Sequence, residues 1–310
     1  MAAFSGFAPP KTRVSLRNEK FSLEIWPEVA GAVARFDLMD GQKTVRPLFR
    51  PVVEGKAVYT APDDLGCWPL VPYSNRIDHG RINFEGKAYD LPLNVGDNPH
   101  VLHGVGWQRS WALDEQAKDA CRLTLRHASD LNWPFAFSAE QLFSLNPDGL
   151  TITLSLTNEG DGTMPYGLGF HPYIFRSEGT KLFADARGVW FSDEHAMPTM
   201  HTNDIPKEWD LRSGCLLDKI FIDQCYEPFE GSPKVVWADG ASLTVEHSEC
   251  LKYLVVYNPP EQQFVCVEPV SHMVDAFNRH AKGEKNVGFT VLRPSEKTSI
   301  TYRFVYAESV

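Results

Sequence analysis

The chain is expected to be an all-β protein, a large antiparallel β-sandwich. Three observations predict it. Apolar residues alternate with period two: Leu150, Ile152, Leu154 and Leu156 interleave with Thr151, Thr153, Ser155 and Thr157, and Ile300, Tyr302, Phe304 and Tyr306 alternate likewise. Successive strand residues point to opposite faces, so each run has one face to bury. Tight-turn pairs separate such runs, and the 22 prolines and 22 glycines interrupt every stretch long enough for an amphipathic helix.

Taken along the chain, Asp40-Gly41, Glu85-Gly86 and Asp239-Gly240 each lie between strand-like stretches. Residues 140–145, the Asn146-Pro147-Asp148-Gly149 turn and residues 150–157 read as a hairpin. Residues 192–214 are polar and irregular and read as a long surface excursion. Residues 254–257 and 263–267 read as two core strands joined by Asn258-Pro259-Pro260. No βα alternation suggests a parallel sheet, and no repeat, low-complexity segment or linker divides residues 1–310, so a single domain of two packed sheets is expected.

Composition narrows the function. With 43% hydrophobic and 12% aromatic residues the chain can bury a sizeable core. The formal charge of −10, without any Lys/Arg block, disfavours nucleic acid and anionic membranes and leaves a neutral, hydroxyl-rich ligand compatible. The first ten residues lack the charged and apolar regions of a signal peptide, and no apolar run approaches a membrane span. Six scattered cysteines without a CxxC pair suggest buried thiols in a reduced, cytoplasmic compartment. No GxSxG, phosphate-binding loop or strand-linked GxGxxG is present, and no cofactor is expected.

Chemistry is suggested by two histidines and a carboxylate on separate segments. His103 follows Leu102 and precedes Gly104, so it sits at a loop or strand end, either bonding a turn or facing a ligand. His171, between Phe170 and Pro172, is a rigidly held imidazole that is either a packed strand-end histidine or a proton donor. Glu268 ends the apolar run 263–267 before Pro269. A carboxylate there needs a partner, as an ion pair, as a cap of backbone amides, or as a general base. Arg76 suits hydroxyl binding or orientation of a carboxylate, Asp223 could accept from hydroxyls, and Trp107 could offer a face to a pyranose. His100 and His103, three apart, lack a third ligand nearby, so no metal is expected.

Together these segments resemble the aldose 1-epimerase (galactose mutarotase) family. The matching residues are Tyr73-Ser74-Asn75-Arg76-Ile77, Gly80-Arg81, Asn83-Phe84, Gly86, Leu91-Pro92, Asn94, Leu102-His103-Gly104, Gly169-Phe170-His171-Pro172-Tyr173, Cys266-Val267-Glu268-Pro269 and Asp275-Ala276, in the family's order and spanning about Val14 to Tyr306. The resemblance implies a supersandwich with a sugar cleft. It implies Glu268 as general base, His171 as general acid and His103 as a second, substrate-binding histidine. Arg76 and, less distinctively, Asp223 would bind hydroxyls, with Asn75 beside Arg76 as a further substrate-binding candidate. The implied reaction interconverts the anomers of a free monosaccharide by ring opening and reclosure, with no cofactor, in a monomer or homodimer. Three other readings stay open: a glycoside hydrolase, which needs two carboxylates; a hexose-6-phosphate mutarotase, which needs a basic pocket for which Arg81, Arg109 and Arg126 are available; and a non-catalytic sugar-binding or sensing module.

Overall fold

The alternating runs become long antiparallel strands in two sheets. In the computed structural model, which describes residues 4–309, one sheet has nine strands centred on Phe137–Asn146, Gly149–Asn158 and Lys297–Ala307. Leu150, Ile152, Leu154 and Leu156 are buried, while Thr151, Thr153 and Thr157 are only half-buried. The hairpin closes on the pair Asn146 and Gly149, and the pairs at Asp40/Lys43 and Phe84/Lys87 close where the Asp-Gly and Glu-Gly turns fall.

The other sheet has eleven strands, and its middle holds, side by side, Cys67–Leu70, Gly169–Phe175, Phe264–Val270, Tyr253–Asn258 and Ile222–Tyr226. Glu268 and His171 thus lie inside strands, not at their ends. Gly169–Phe175 divides its pairing: Gly169–Pro172 bonds to Cys67–Leu70, and Tyr173–Phe175 bonds to Phe264–Cys266. Pro172 and Pro269 explain the switch, because neither has an N–H to give a ladder. Continuing the Tyr173/Cys266 register past that point sets His171 opposite Glu268. The gap is bridged from the other sheet, where the Tyr302 hydroxyl accepts the Phe170 N–H (3.3 Å) and donates to the Pro269 carbonyl.

Aromatic contacts join the sheets. Phe304 meets Phe49 edge-on at 4.8 Å, Phe49 meets Phe36 at 5.2 Å, and Phe170 meets Tyr302 at 5.2 Å. Two short helices, Ala61–Asp64 and Ala276–Ala281, are the α-helices among the described residues, and no helix there is long and apolar enough to cross a membrane.

Residues 192–214 depart from the expected irregular excursion. Pro198–Thr202 pairs with Val189–Ser192 as the sheet's edge strand, and Ile205 and Leu211 are buried, so sparse apolar residues tie the segment down. The six cysteines are unpaired, but Cys250 is exposed where a buried thiol was expected. Phe304, fully buried between the sheets, sets a test of their packing: Phe304→Ala should cost about 3–5 kcal/mol of unfolding free energy, read from urea denaturation.

Candidate active site

The loops that lead into the middle of the larger sheet position the first side chains. His103 follows the short strand Val101–Leu102, and its backbone is left-handed (φ 65°). Gly104 allows this approach, since a Cβ there would lie 2.3 Å from the Val71 carbonyl oxygen. The His103 N–H donates to the Asn75 carbonyl (2.8 Å), and the Asn75 N–H donates back to His103 Nδ1 (3.1 Å). An Nδ1 that accepts leaves the proton on Nε2, so the ring offers a donor. Burial, helped by Arg76, depresses the His103 pKa to about 3. One nitrogen of His103 thus bonds the turn, while the ring lines a cavity.

Asn75 also orients Arg76. Its Oδ1 accepts from the Arg76 backbone N–H (2.9 Å) and from Nη1 (3.1 Å), while Nη2 lies 4.0 Å from Asp223 Oδ2. Burial raises the Asp223 pKa, with Arg76 opposing.

His171 and Glu268 form the floor. His171 Nε2 lies 3.4 Å from Glu268 Oε1, and both residues are buried. Glu268 Oε2 and His171 Nδ1 have no hydrogen-bond partner among the described residues. The imidazole stacks with Trp68 (4.5 Å, 22°) and with Tyr173 (4.7 Å, 14°). Arg50 caps the stack 3.8 Å over Tyr173, held by the carbonyls of Pro62 (2.8 Å) and Leu65 (2.6 Å). Burial pushes the Glu268 pKa well above the carboxylate range, Asp223 adding to the shift and Arg76 opposing it. Burial also pushes His171 well below the usual imidazole value, with His103 and Arg50 contributing. Both shifts favour a neutral pair, a carboxylic acid facing a neutral imidazole with one proton between them.

These groups enclose one cavity of about 240 Å³, lined by Asn75, Arg76, His103, His171, Asp223 and Glu268 together with Trp68, Tyr173, Tyr257 and apolar neighbours. Six of the seven residues singled out from the sequence meet there. Trp107 does not, and its expected role against a pyranose is corrected. It is buried behind the wall, its indole N–H donating to the Leu102 carbonyl (3.2 Å) and its ring leaning on Trp68 at 5.8 Å. The aromatic faces at the cavity belong to Trp68, Tyr173 and Tyr257. His100 faces a different cavity from His103.

Sequence reasoning missed the supports. Tyr173 shares a strand face with His171, two residues away, and that spacing could have signalled it. His272 carried no local signal. Its Nε2 accepts the Ser74 N–H (3.2 Å) and its Nδ1–H donates to the Met273 carbonyl (2.7 Å), which pins the segment carrying Asn75 and Arg76. Gly167 makes room, because a Cβ there would lie 1.8 Å from the His272 ring.

The architecture is that of the galactose mutarotase-like sandwiches. It superposes on a crystal structure of a candidate aldose 1-epimerase from Escherichia coli K12 (TM-score 0.83, 27% identity, 96% of this chain and 99% of that one). It also superposes on a galactose mutarotase-like protein from Clostridium acetobutylicum (TM-score 0.81, 19% identity, 95% and 94%), a likeness of fold. Residues 12–305 match the aldose 1-epimerase family model, and the chain belongs to that family. Among its relatives, the uncharacterized Escherichia coli K12 protein YphB is 31% identical over 262 residues, 82% of this chain and 86% of YphB. YihR from the same organism, also uncharacterized, is 33% identical over 219 residues, 67% of this chain and 70% of YihR.

The depressed pKa of His103 makes a stability prediction. The unfolded histidine takes up a proton near about pH 6.5 while the folded one does not until about 3. The stability contributed by His103 is therefore present at neutral pH and lost, by about 1.4 kcal/mol per pH unit, as pH falls below about 6.5. His103→Gln should flatten the slope of unfolding free energy between pH 6.5 and 4.5 relative to wild type, measured by urea denaturation.

Proposed function

We propose that the protein is an aldose mutarotase acting on a free monosaccharide, with Glu268 and His171 as its proton-transfer pair. The observation that carries this reading is the facing of Glu268 Oε1 and His171 Nε2 at 3.4 Å on the floor of a cavity that also presents Arg76, Asp223 and His103. At about 240 Å³ the cavity lies below the roughly 300–1,000 Å³ range of larger ligand clefts, which suits a single pyranose and not a chain of sugars.

In ring opening, Glu268 takes the proton from the C1 hydroxyl while His171 protonates the ring oxygen. The C1–C2 bond then rotates in the open aldehyde, and reclosure on the other carbonyl face reverses both transfers. The active microstate has the shared proton on His171. The faces of Trp68 and Tyr173 favour that imidazolium, and hydroxyls of the bound sugar solvate the carboxylate. His103, neutral and donating from Nε2, holds an oxygen without exchanging its proton. Arg76 and Asp223 suit the remaining hydroxyls as donor and acceptor.

Charge favours an unphosphorylated sugar over a hexose 6-phosphate. Arg76 is the cation among the cavity-lining residues and already faces Asp223. Arg81 and Arg109 pair with Asp90 and Asp130, and Arg126 lines another cavity. Unpaired thiols fit a reducing, cytoplasmic location.

Polarimetry on freshly dissolved α-anomers of galactose, glucose and arabinose tests the reading. Wild type should speed the approach to equilibrium, and folded Glu268→Gln and His171→Asn should each lose about 10²–10⁴-fold. No acceleration with any free aldose would overturn the proposal. Glucose 6-phosphate should be a poorer substrate than glucose. The pair works while it holds one shared proton, which is lost as pH rises through the raised value of Glu268. A second is gained as pH falls through the lowered value of His171, so the acid limb of kcat/KM should lie below the ordinary imidazole value of about 6.5. An acid limb at or above that value would count against this pair as the proton-transfer groups.

A further inference from the structure

We propose that Cys266, His171 and Glu268 form a binding site for a soft divalent cation of the Zn²⁺ or Co²⁺ type beneath the sugar cavity, and that its occupation competes with the aldose. The site itself rests on geometry alone; the competition rests on the mutarotase reading.

Cys266 and Glu268 are two apart on one strand and share a face, and His171 lies across from Glu268 on the neighbouring strand. One ligand atom from each, a sulfur, a nitrogen and an oxygen, lies within 4.8 Å of the other two, and all three residues are buried. The 3.4 Å between His171 Nε2 and Glu268 Oε1 matches the edge of a tetrahedron whose metal bonds are about 2.0–2.2 Å. Sliding the thiol inward completes three corners, and the fourth faces the cavity. Thiolate, imidazole and carboxylate are a zinc-type donor set.

A second observation points the same way. Glu268 Oε2 and His171 Nδ1 are buried polar atoms without partners, so turning the carboxylate and ring onto an ion costs only the proton shared between Oε1 and Nε2. Cys266, flanked across the ladder by Tyr173 and Tyr257, is not among the residues that line the sugar cavity. Its thiol pKa is raised by burial and by Glu268, and an ion that reaches Glu268 through the cavity displaces that proton. Glu268 and Cys266, once deprotonated, offset the two positive charges. Asp223 adds to this attraction, and Arg50 and Arg76 oppose it.

The other close group of donors lacks this freedom. Around Asp78, His79 and His100, the His100 Nδ1 already accepts the His79 N–H, which leaves the proton on Nε2, and Asp78 is bonded to the His79 ring.

The test is a Co²⁺ titration of the reduced full-length chain, followed by thiolate-to-metal absorption. One Co²⁺ per chain should saturate the band, and Zn²⁺ should displace it. The band should vanish in Cys266→Ser, persist in Cys250→Ser, and require at least about 10–100-fold more Co²⁺ in His171→Asn, the range lost when even an outer partner of a metal ligand is removed. Should Cys266→Ser fail to fold by circular dichroism, Glu268→Gln carries the test and must weaken Co²⁺ by the same range. No band in wild type, or a band that survives Cys266→Ser, overturns the site. The aldose turned over fastest should raise the Co²⁺ needed for half-saturation, and unchanged Co²⁺ binding at saturating sugar overturns the competition. A band without mutarotation defeats the functional reading and leaves the metal site standing; mutarotation without a band does the reverse.

Discussion

Two missing amide hydrogens organise the site. Pro172 and Pro269 lie on adjacent strands of the larger sheet and cannot complete the ladder between them. Gly169–Phe175 therefore shifts its bonding from Phe264–Val270 to Cys67–Leu70 just where His171 and Glu268 come abreast. Tyr302 closes the gap from the opposite sheet by bonding Phe170 and Pro269, the immediate neighbours of His171 and Glu268. The separation of His171 from Glu268 is thus tied to the packing of one sheet on the other, through the aromatic contacts that hold both.

Burial then assigns the charges. Each ionisable group on the cavity floor is moved toward its neutral form, Glu268 upward and His171 downward. His103 is moved the same way but is also fixed as a donor by the Asn75 amide. Two imidazoles with ring centroids 5.4 Å apart consequently differ in kind: one faces a carboxyl group, and the other is bound through the Asn75 amide. Stacking with Trp68 and Tyr173 resists tipping of the His171 ring, whose Nε2 faces Glu268.

Much of this was legible in the chain because it is encoded locally. Period-two alternation marked the hairpin at residues 146–149 and the strand carrying Tyr302. The glycines and prolines around His103, His171 and Glu268 marked segments of unusual backbone, and the order of those segments marked the family. What was not legible depends on contacts between distant segments. Trp107 and Trp68 are equally apolar in a sequence, and only the Leu102 carbonyl behind the wall decides which indole is turned away from the cavity. Arg50 and His272 act through backbone groups 12 to 198 positions away. Ile205 and Leu211 anchor residues 192–214 with too few apolar side chains to show a period. The role of Pro172 and Pro269 was hidden because a proline within a strand ordinarily argues for an edge.

Arg76 and Asp223 lie 4.0 Å apart at the cavity, and burial moves Glu268 and His171 toward their neutral forms, so the formal charges that a ligand would meet nearly cancel. A neutral sugar entering such a site changes no long-range field and releases no counterions. Although the chain as a whole is formally −10, its encounter with substrate is governed by short-range hydrogen bonding, and ionic strength, which screens over about 10 Å at 0.1 M, has little to act on.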